Sequence, residues 1–151
     1  MELSGNFTVN RPRAEVWAAL NDAEVLRDAI PGCESLDVSE GGYDGKIVLK
    51  IGPIKASFSG RVNIAEAVEN ERLTLTGEGN GGIAGFAKGG ATVTLTDTPE
   101  GTEVVYSADV SIGGKLAQLG NRLIGSTARQ LAGKFFDRLN ETLAQPQEPV
   151  R

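Results

Sequence analysis

Apolar and polar residues alternate along most of the first 112 positions of this chain. The alternation is clearest in the series Ala56, Phe58, Gly60, Val62 and Ile64, whose neighbours on the opposite face are polar. Period-two series of this kind are typical of antiparallel strands with one face towards the core and one towards solvent. Similar runs lie near residues 3–9, 47–51, 73–75, 91–95 and 104–112, with a weaker one at CESLDV. The pattern therefore predicts about seven half-buried strands.

Helical patterns interrupt this series twice and then end it. RPRAEVWAAL has Pro12 near its first helical position, and DAEVLRDAI begins at Asp22, a good N-cap residue. The only long helical pattern covers about residues 114–143. Its apolar stripe drifts along the wheel from an N-terminal half to a C-terminal half, and the N-terminal half consists of Leu116, Leu119, Leu123, Thr127 and Leu131.

A single antiparallel sheet needs a cover for its apolar face, and only the C-terminal helix is long enough to supply one. The sequence therefore predicts an α+β fold in which a curved sheet grips the long helix in its concave face. We expect one ligand-binding domain over residues 1–143 and a short flexible tail over residues 144–151. Turn signals such as EGGYDG and DTPEGT separate the strands.

The composition removes many kinds of chemistry. The chain has no histidine and a single cysteine, Cys33, so the commonest general base and the cysteine-rich metal sites are absent. No stretch approaches the roughly 20 apolar residues that span a bilayer, and the polar N-terminus is unlike a signal peptide. These features predict a cytoplasmic protein, with peripheral contact at the inner face of the cytoplasmic membrane as a further expectation.

Charge is distributed unevenly along the chain. Residues 1–113 contain nine Lys and Arg against 17 Asp and Glu, whereas residues 114–151 contain six against three. The acidic body should repel nucleic acid. Lys115, Arg122 and Arg129 recur every seven residues, which places them on one face of the predicted helix. This row is either a solvated face or a surface for an acidic partner or anionic lipid headgroups.

The glycine-rich run GEGNGGIAGFAKGG matches the dinucleotide pattern G-x-G-x-x-G at Gly77, Gly79 and Gly82. A dinucleotide site needs a helix to open within that pattern, because the phosphate binds at the helix N-terminus. Here one strand leads into another, so a phosphate site is not expected. Gly77 and Gly79 instead continue the inward series of Leu73 and Leu75, and they either bend the strand or leave space in the interior.

The chain resembles the CoxG family of carbon monoxide dehydrogenase-associated proteins in the segments VWAALNDAEVLRDAIPGCESL, IGPIKASFSGRV and GGKLAQLGNRLI. That family belongs to the START-like (SRPBCC) helix-grip superfamily of ligand-binding domains. The resemblance covers residues 1 to about 140, and its most specific pieces are IPGC at Ile30–Cys33, the glycine-rich run and GGKLAQLG.

The resemblance implies an apolar cavity between sheet and helix for a lipid-like molecule, with quinone as the favoured ligand. It also implies a non-enzymatic role in recruiting or coupling a carbon monoxide dehydrogenase-type molybdoenzyme to the membrane, without a metal or covalent cofactor. The surface for that partner or membrane would be Lys115, Arg122 and Arg129. The predicted ligand-binding residues are Phe58, Leu75, Gly77, Gly79, Phe86, Tyr106, Leu116, Leu119, Leu123, Thr127 and Leu131.

Two other classes of function remain open on the sequence. Polyketide cyclase-like members of the superfamily carry out acid/base chemistry in such cavities, which here would depend on Asp, Glu, Tyr106 or Cys33. A ligand-free assembly factor for the molybdoenzyme would act through its surface alone. A carboxylate inside the cavity would favour the enzyme, and an empty interior the assembly factor.

Overall fold

A computed structural model describes residues 1–144 of the chain. The predicted order of strand, two short helices, six strands and long helix is confirmed. The elements are β1 (Glu2–Val9), α1 (Arg13–Leu20), α2 (Ala23–Ala29), β2 (Cys33–Ser39), β3 (Gly42–Ile51), β4 (Ile54–Val68), β5 (Arg72–Asn80), β6 (Phe86–Thr98), β7 (Gly101–Gly113) and α3 (Asn121–Ala144).

The seven strands form one antiparallel sheet in the order β1-β7-β6-β5-β4-β3-β2. Each connection within β2 to β7 is a turn between neighbours, whereas α1 and α2 carry the chain from one edge strand to the other. Asp22 caps α2, since its carboxylate accepts the backbone N–H groups of Glu24 at 3.0 Å and Val25 at 3.4 Å. The two short helices and α3 lie on the concave face, and the fold is the α+β arrangement predicted.

The packed core occupies only part of that concave face. It joins α1 and the C-terminal half of α3 to the nearest strand ends, and its members are Val9, Val16, Ala19, Leu95, Val104, Phe136 and Leu139. Phe136 anchors the helix, because its ring stacks on Phe7 with centroids 4.4 Å apart and meets Phe135 edge-on at 5.0 Å. The rest of the concave face is covered less closely.

The long helix begins seven residues later than the sequence pattern predicts. Residues Gly114–Leu119 form a separate 3-10 segment, and Gly120 then adopts φ 86°, a left-handed conformation that interrupts the helical path. Gly120 is therefore a break rather than a helix-interior residue. Lys115 also lies outside α3, so the predicted row of Lys115, Arg122 and Arg129 is not one helical face.

The C-terminal part of α3 agrees with the prediction, since the helix ends at Ala144. Of the tail predicted over residues 144–151, positions 145–151 lie outside the described residues. No helix within residues 1–144 has the length and apolar character needed to cross a lipid bilayer.

Candidate ligand cavity

The concave face carries a floor of small residues on four neighbouring strands. Strand register places Gly45 of β3 opposite Gly60 of β4, Gly60 opposite Gly79 of β5, and Gly79 opposite Ala87 of β6. Directly opposite residues on one face of a sheet are side-chain neighbours. Where the row crosses the sheet there are consequently almost no side chains above the backbone.

A second row deepens this floor. Val62 pairs with Gly77, and Gly77 pairs with Gly89. A Cβ on Gly77 would meet its nearest neighbour at 3.5 Å, and a Cβ on Gly79 would meet nothing closer than 3.9 Å. Both distances are ordinary van der Waals contacts, so the space above these two glycines is not filled by other side chains. We call Gly45, Gly60, Gly77, Gly79, Ala87 and Gly89 the glycine floor.

Two adjoining cavities lie between the sheet and the helices. The first, of about 390 Å³, stands over the glycine floor. The second, of about 320 Å³, extends from it beneath α2 and α3, where Leu26, Ala132, Phe135 and Phe136 cover it. The two cavities share six lining residues, which are Ile30, Leu36, Tyr43, Val62, Leu75 and Ala91. Pockets of a few hundred cubic ångströms lined mainly by apolar groups are the usual form of small-molecule sites.

The second cavity offers few polar groups. Of its lining residues, only Asn21, Tyr43 and Tyr106 carry polar side chains, and none is a carboxylate. The Tyr43 hydroxyl donates a long hydrogen bond of 3.5 Å to the Asn21 carbonyl oxygen, and the Asn21 side chain donates to the Trp17 carbonyl oxygen at 2.9 Å. Burial, reinforced by the nearby Asp22 carboxylate, raises the pKa of Tyr43, so this phenol stays protonated at neutral pH.

The first cavity includes charged residues at its edge. Arg61, Glu78 and Lys88 are neighbours of glycine-floor residues in the chain, and their side chains alternate to the outer face. On that face Arg61 pairs with Asp44 at 3.3 Å and donates to Asn63 at 2.9 Å. Inward-facing positions therefore give the first cavity an apolar character as well.

The structure brings together five of the predicted ligand-binding residues. Phe58, Leu75, Gly77 and Gly79 line the first cavity, and Leu75 and Tyr106 line the second. The Phe58 ring lies directly against Gly81, next to the loop that joins β5 to β6. Contact between any of these residues and a ligand stays a prediction.

The other six lie outside both cavities, and the predicted cavity face of the helix is wrong in phase. Phe86 lies on the outer face of the sheet against Gly113, because inward alternation in β6 begins at Ala87. The remaining five precede or flank the face that α3 turns to the sheet, and they are Leu116, Leu119, Leu123, Thr127 and Leu131.

Contacts made by these residues explain the difference. Leu116 is buried against Gly85, Leu123 lies against Gly52 in the turn between β3 and β4, and the Thr127 hydroxyl donates to the Leu123 carbonyl oxygen at 2.9 Å. With α3 beginning at Asn121, its buried side passes through Ile124, Gly125, Phe136 and Leu139. The helix contributes Ala132, Phe135 and Phe136 to the cavity instead.

Sequence reasoning missed other parts of the site. Gly45, Gly60 and Gly89 continue the inward period-two series of their strands, so the signal was present. Their alignment across strands depends on register, which the sequence does not display. Tyr43 was missed because nothing local distinguishes it from a strand residue in contact with solvent. No group of three or more His, Cys, Asp or Glu side chains within residues 1–144 is arranged to hold a metal ion.

Comparison with known proteins gives the family. The carbon monoxide dehydrogenase CoxG family matches residues 5–144. The chain belongs to the CoxG family. The family resemblance predicted from the sequence motifs is thereby confirmed, whereas no curated protein matches the sequence.

Solved structures share the fold of this CoxG-family chain. A conserved protein from Geobacillus kaustophilus is 27% identical, with 95% of each chain covered and a TM-score of 0.89. A protein from Mycobacterium smegmatis is 15% identical, with 97% of this chain and 93% of that chain covered and a TM-score of 0.71. An uncharacterised protein from Rhizobium leguminosarum is 20% identical, with coverage of 95% and 93% and a TM-score of 0.70. The last two similarities show the fold alone.

Proposed function

We propose that this CoxG-family protein binds a hydrophobic quinone or another lipid in its paired cavities. The proposal further holds that it helps to couple a carbon monoxide dehydrogenase-type molybdoenzyme to the membrane, without catalysing a reaction itself. The observation that carries the binding proposal is the glycine floor. Five glycines and one alanine replace side chains at the place where a sheet would otherwise pack against its helix.

Physical cost supports a selected role for this space. Glycine within a strand destabilises a protein by roughly 0.5–1 kcal/mol relative to alanine. An unfilled apolar cavity also forgoes dispersion contacts that its lining would otherwise make. An apolar ligand that entered the space would recover those contacts and release water from both surfaces. The fold therefore gains from the ligand what it lacks in side chains.

The polar groups of the second cavity suit a ligand with few polar atoms. Tyr43 and Tyr106 carry hydroxyl groups that can donate to a carbonyl oxygen, which is the polar group of a quinone ring. The raised pKa of Tyr43 keeps its proton available for donation. The absence of a carboxylate in that lining weighs against the cyclase-like enzyme, which requires an acid or base inside the cavity.

Titration with a short-chain quinone tests the binding proposal. We expect a saturable rise in melting temperature for the wild-type protein. Gly79→Leu places a side chain in the first cavity and should reduce the rise, while Gly90→Leu on the outer face of the adjacent strand is the matched control. An equal response of both variants and the wild type would contradict binding in the cavity.

The partner rests on the family and has its own test. Capture of a carbon monoxide dehydrogenase-type molybdoenzyme by the immobilised protein should be detectable by enzyme activity in the eluate. If capture occurs and no quinone binds, the ligand-free assembly factor becomes the better account. If quinone binds and no enzyme is captured, the coupling part of the proposal is wrong.

A further inference from the structure

Basic residues are concentrated in three stretches of chain that contain no acidic residue. Residues 45–65, 79–96 and 110–136 hold nine of the 15 Lys and Arg and none of the 20 Asp and Glu. Within residues 1–144, Arg61 is the only one of these nine that forms an ion pair, with Asp44. The overall charge of −5 therefore conceals a strong internal separation of charge.

The fold brings the three stretches to one end of the sheet. Ser59 pairs with Asn80, Asn80 with Phe86, and Phe86 with Gly113, so the turns next to these residues lie side by side. The turn between β3 and β4 joins them, since Leu123 Cδ2 lies 2.9 Å from the position of a Cβ on Gly52. We call this the basic end, defined by Lys50, Lys55, Lys115 and Arg122.

The opposite end of the sheet is acidic. Its turns join β2 to β3, β4 to β5 and β6 to β7, and they contain Glu40, Glu69, Glu71, Asp97 and Glu100. A negatively charged surface would accordingly attract the basic end and repel the opposite one, and this sets a single orientation for approach.

An exposed isoleucine projects from the basic end. Ile83 is 86% exposed and sits on the 3-10 turn Gly82–Ala84 between β5 and β6. The turn is held by hydrogen bonds from the Gly81 N–H to the Gly85 carbonyl at 2.8 Å and from the Gly82 N–H to the Asn80 side chain at 2.8 Å. Ile83 is thus presented to solvent by an ordered turn, close to the part-exposed Leu123 at the start of α3.

We infer that the basic end docks on the surface of an anionic lipid bilayer, with Ile83 entering the boundary between headgroups and acyl chains. Lys50, Lys55, Lys115 and Arg122 contact the headgroups. One projecting aliphatic side chain among unpaired cations suits a lipid interface, where apolar burial and attraction to anionic lipids act together. A protein partner is bound more typically through a central cluster of large anchors in pockets.

The inference rests on the proposed function and deepens it. The loop that carries Ile83 borders the first cavity, because the Phe58 ring lining that cavity lies against Gly81 of the same loop. Docking at the basic end would hold the cavity next to the bilayer in which a quinone or lipid dissolves. The acidic end would face away from the membrane.

Cosedimentation of the whole protein with vesicles tests the inference. We expect binding to phosphatidylcholine vesicles that contain phosphatidylglycerol, little binding to phosphatidylcholine alone, and weaker binding as salt is raised. Lys50→Glu with Lys55→Glu should lower the affinity roughly 25-fold or more, on the basis of about fivefold for each basic residue near the surface. Ile83→Ser should lower it several-fold without changing the melting temperature.

Matched controls are available at a distance from the basic end. Val38→Ser removes an apolar side chain that is 74% exposed on the edge strand β2, and Arg138→Glu reverses an exposed charge in the C-terminal half of α3. Neither should change vesicle binding. Absence of wild-type binding to the anionic vesicles, or equal losses in the controls, would overturn the inference.

The result separates from that of the proposed function. Ile83 lines neither cavity, so Ile83→Ser should still bind short-chain quinone in solution. Vesicle binding without quinone binding would refute the ligand proposal and leave the docking surface standing. If vesicles do not bind and the lysine reversals instead abolish capture of the molybdoenzyme, the basic end is a protein-docking surface and the inference is wrong.

Discussion

Substitution of Gly79 by alanine should stabilise the protein, and this tests whether the glycine floor truly leaves space. The expected gain has two parts. Removing a glycine from a strand interior contributes roughly 0.5–1 kcal/mol, and the new methyl group, which enters an apolar cavity, adds up to about 0.8 kcal/mol if it is fully removed from water. Since the site remains partly open, we expect a total of about 1 kcal/mol.

The structure makes this gain possible at Gly79 in particular. The nearest heavy atom to a Cβ there is the Ser59 carbonyl oxygen at 3.9 Å, so no neighbour has to move. Gly89, on the next strand, is different, because its Cβ would clash with the Asp109 carbonyl oxygen. Gly89→Ala should therefore cost about 1–3 kcal/mol, as overpacked sites do. Gly90→Ala, on the outer face, should gain only the backbone part.

Thermal and urea unfolding of the three variants provide the assay. For a chain of this size 1 kcal/mol corresponds to a shift of about 2–4 °C in melting temperature. We expect Gly79→Ala to melt above the wild type, Gly90→Ala close to it, and Gly89→Ala below it. A loss of stability in Gly79→Ala comparable with that of Gly89→Ala would mean that neighbouring groups fill the space, and the argument from the glycine floor would fail.

Three further predictions concern other parts of the molecule. Phe136→Ala should lower the free energy of unfolding by about 3–5 kcal/mol, because its ring is 6% exposed and stacked on Phe7, whereas Leu123→Ala, at 36% exposure, should cost much less; urea unfolding compares them. Gly120→Ala should destabilise by about 1–2 kcal/mol, since φ is 86° there; a gain in stability would indicate that the helix runs unbroken through this position. The raised pKa of Tyr43 means that the folded state favours the protonated phenol, so stability is unaffected at neutral pH and falls as the pH rises through the folded-state pKa. Tyr43→Phe should lose less stability than the wild type between about pH 8 and about pH 11, measured by urea unfolding; an equal loss would contradict this assignment.

Local patterns were sufficient for most of the fold. The alternation that marks Phe58, Gly60 and Val62 is a direct consequence of strand geometry, and it predicted the strands before any contact was known. The N-cap at Asp22 and the extent of α3 towards Ala144 likewise depend on neighbouring residues alone. These features are recorded in short stretches of sequence.

The start of α3 was not predictable in the same way. A spacing of three residues, as between Leu116 and Leu119, fits a 3-10 segment as well as an α-helix, so the apolar stripe runs smoothly through both. The break at Gly120 depends on backbone conformation, and its register determines which later residues face the sheet. That single error moved the predicted cavity face away from Ala132 and Phe135.

The cavity itself is a property of strand pairing. Gly77 and Gly79 could be recognised from one strand, because two successive inward positions lack side chains. The contributions of Gly45, Gly60 and Gly89 depend on register across four strands, which involves contacts far apart in the chain. The sequence therefore indicated that space exists at β5 but not how widely it extends.

The central claim is that the cavity over the glycine floor holds a lipophilic ligand. Its most direct test is organic extraction and mass spectrometry of the protein purified without detergent, with Gly79→Leu and Gly90→Leu prepared in parallel. The account predicts a quinone or lipid in the wild type and in Gly90→Leu, and a marked loss in Gly79→Leu. Equal recovery from all three proteins, or no lipophile from a wild type that also fails to bind added quinone, would contradict it.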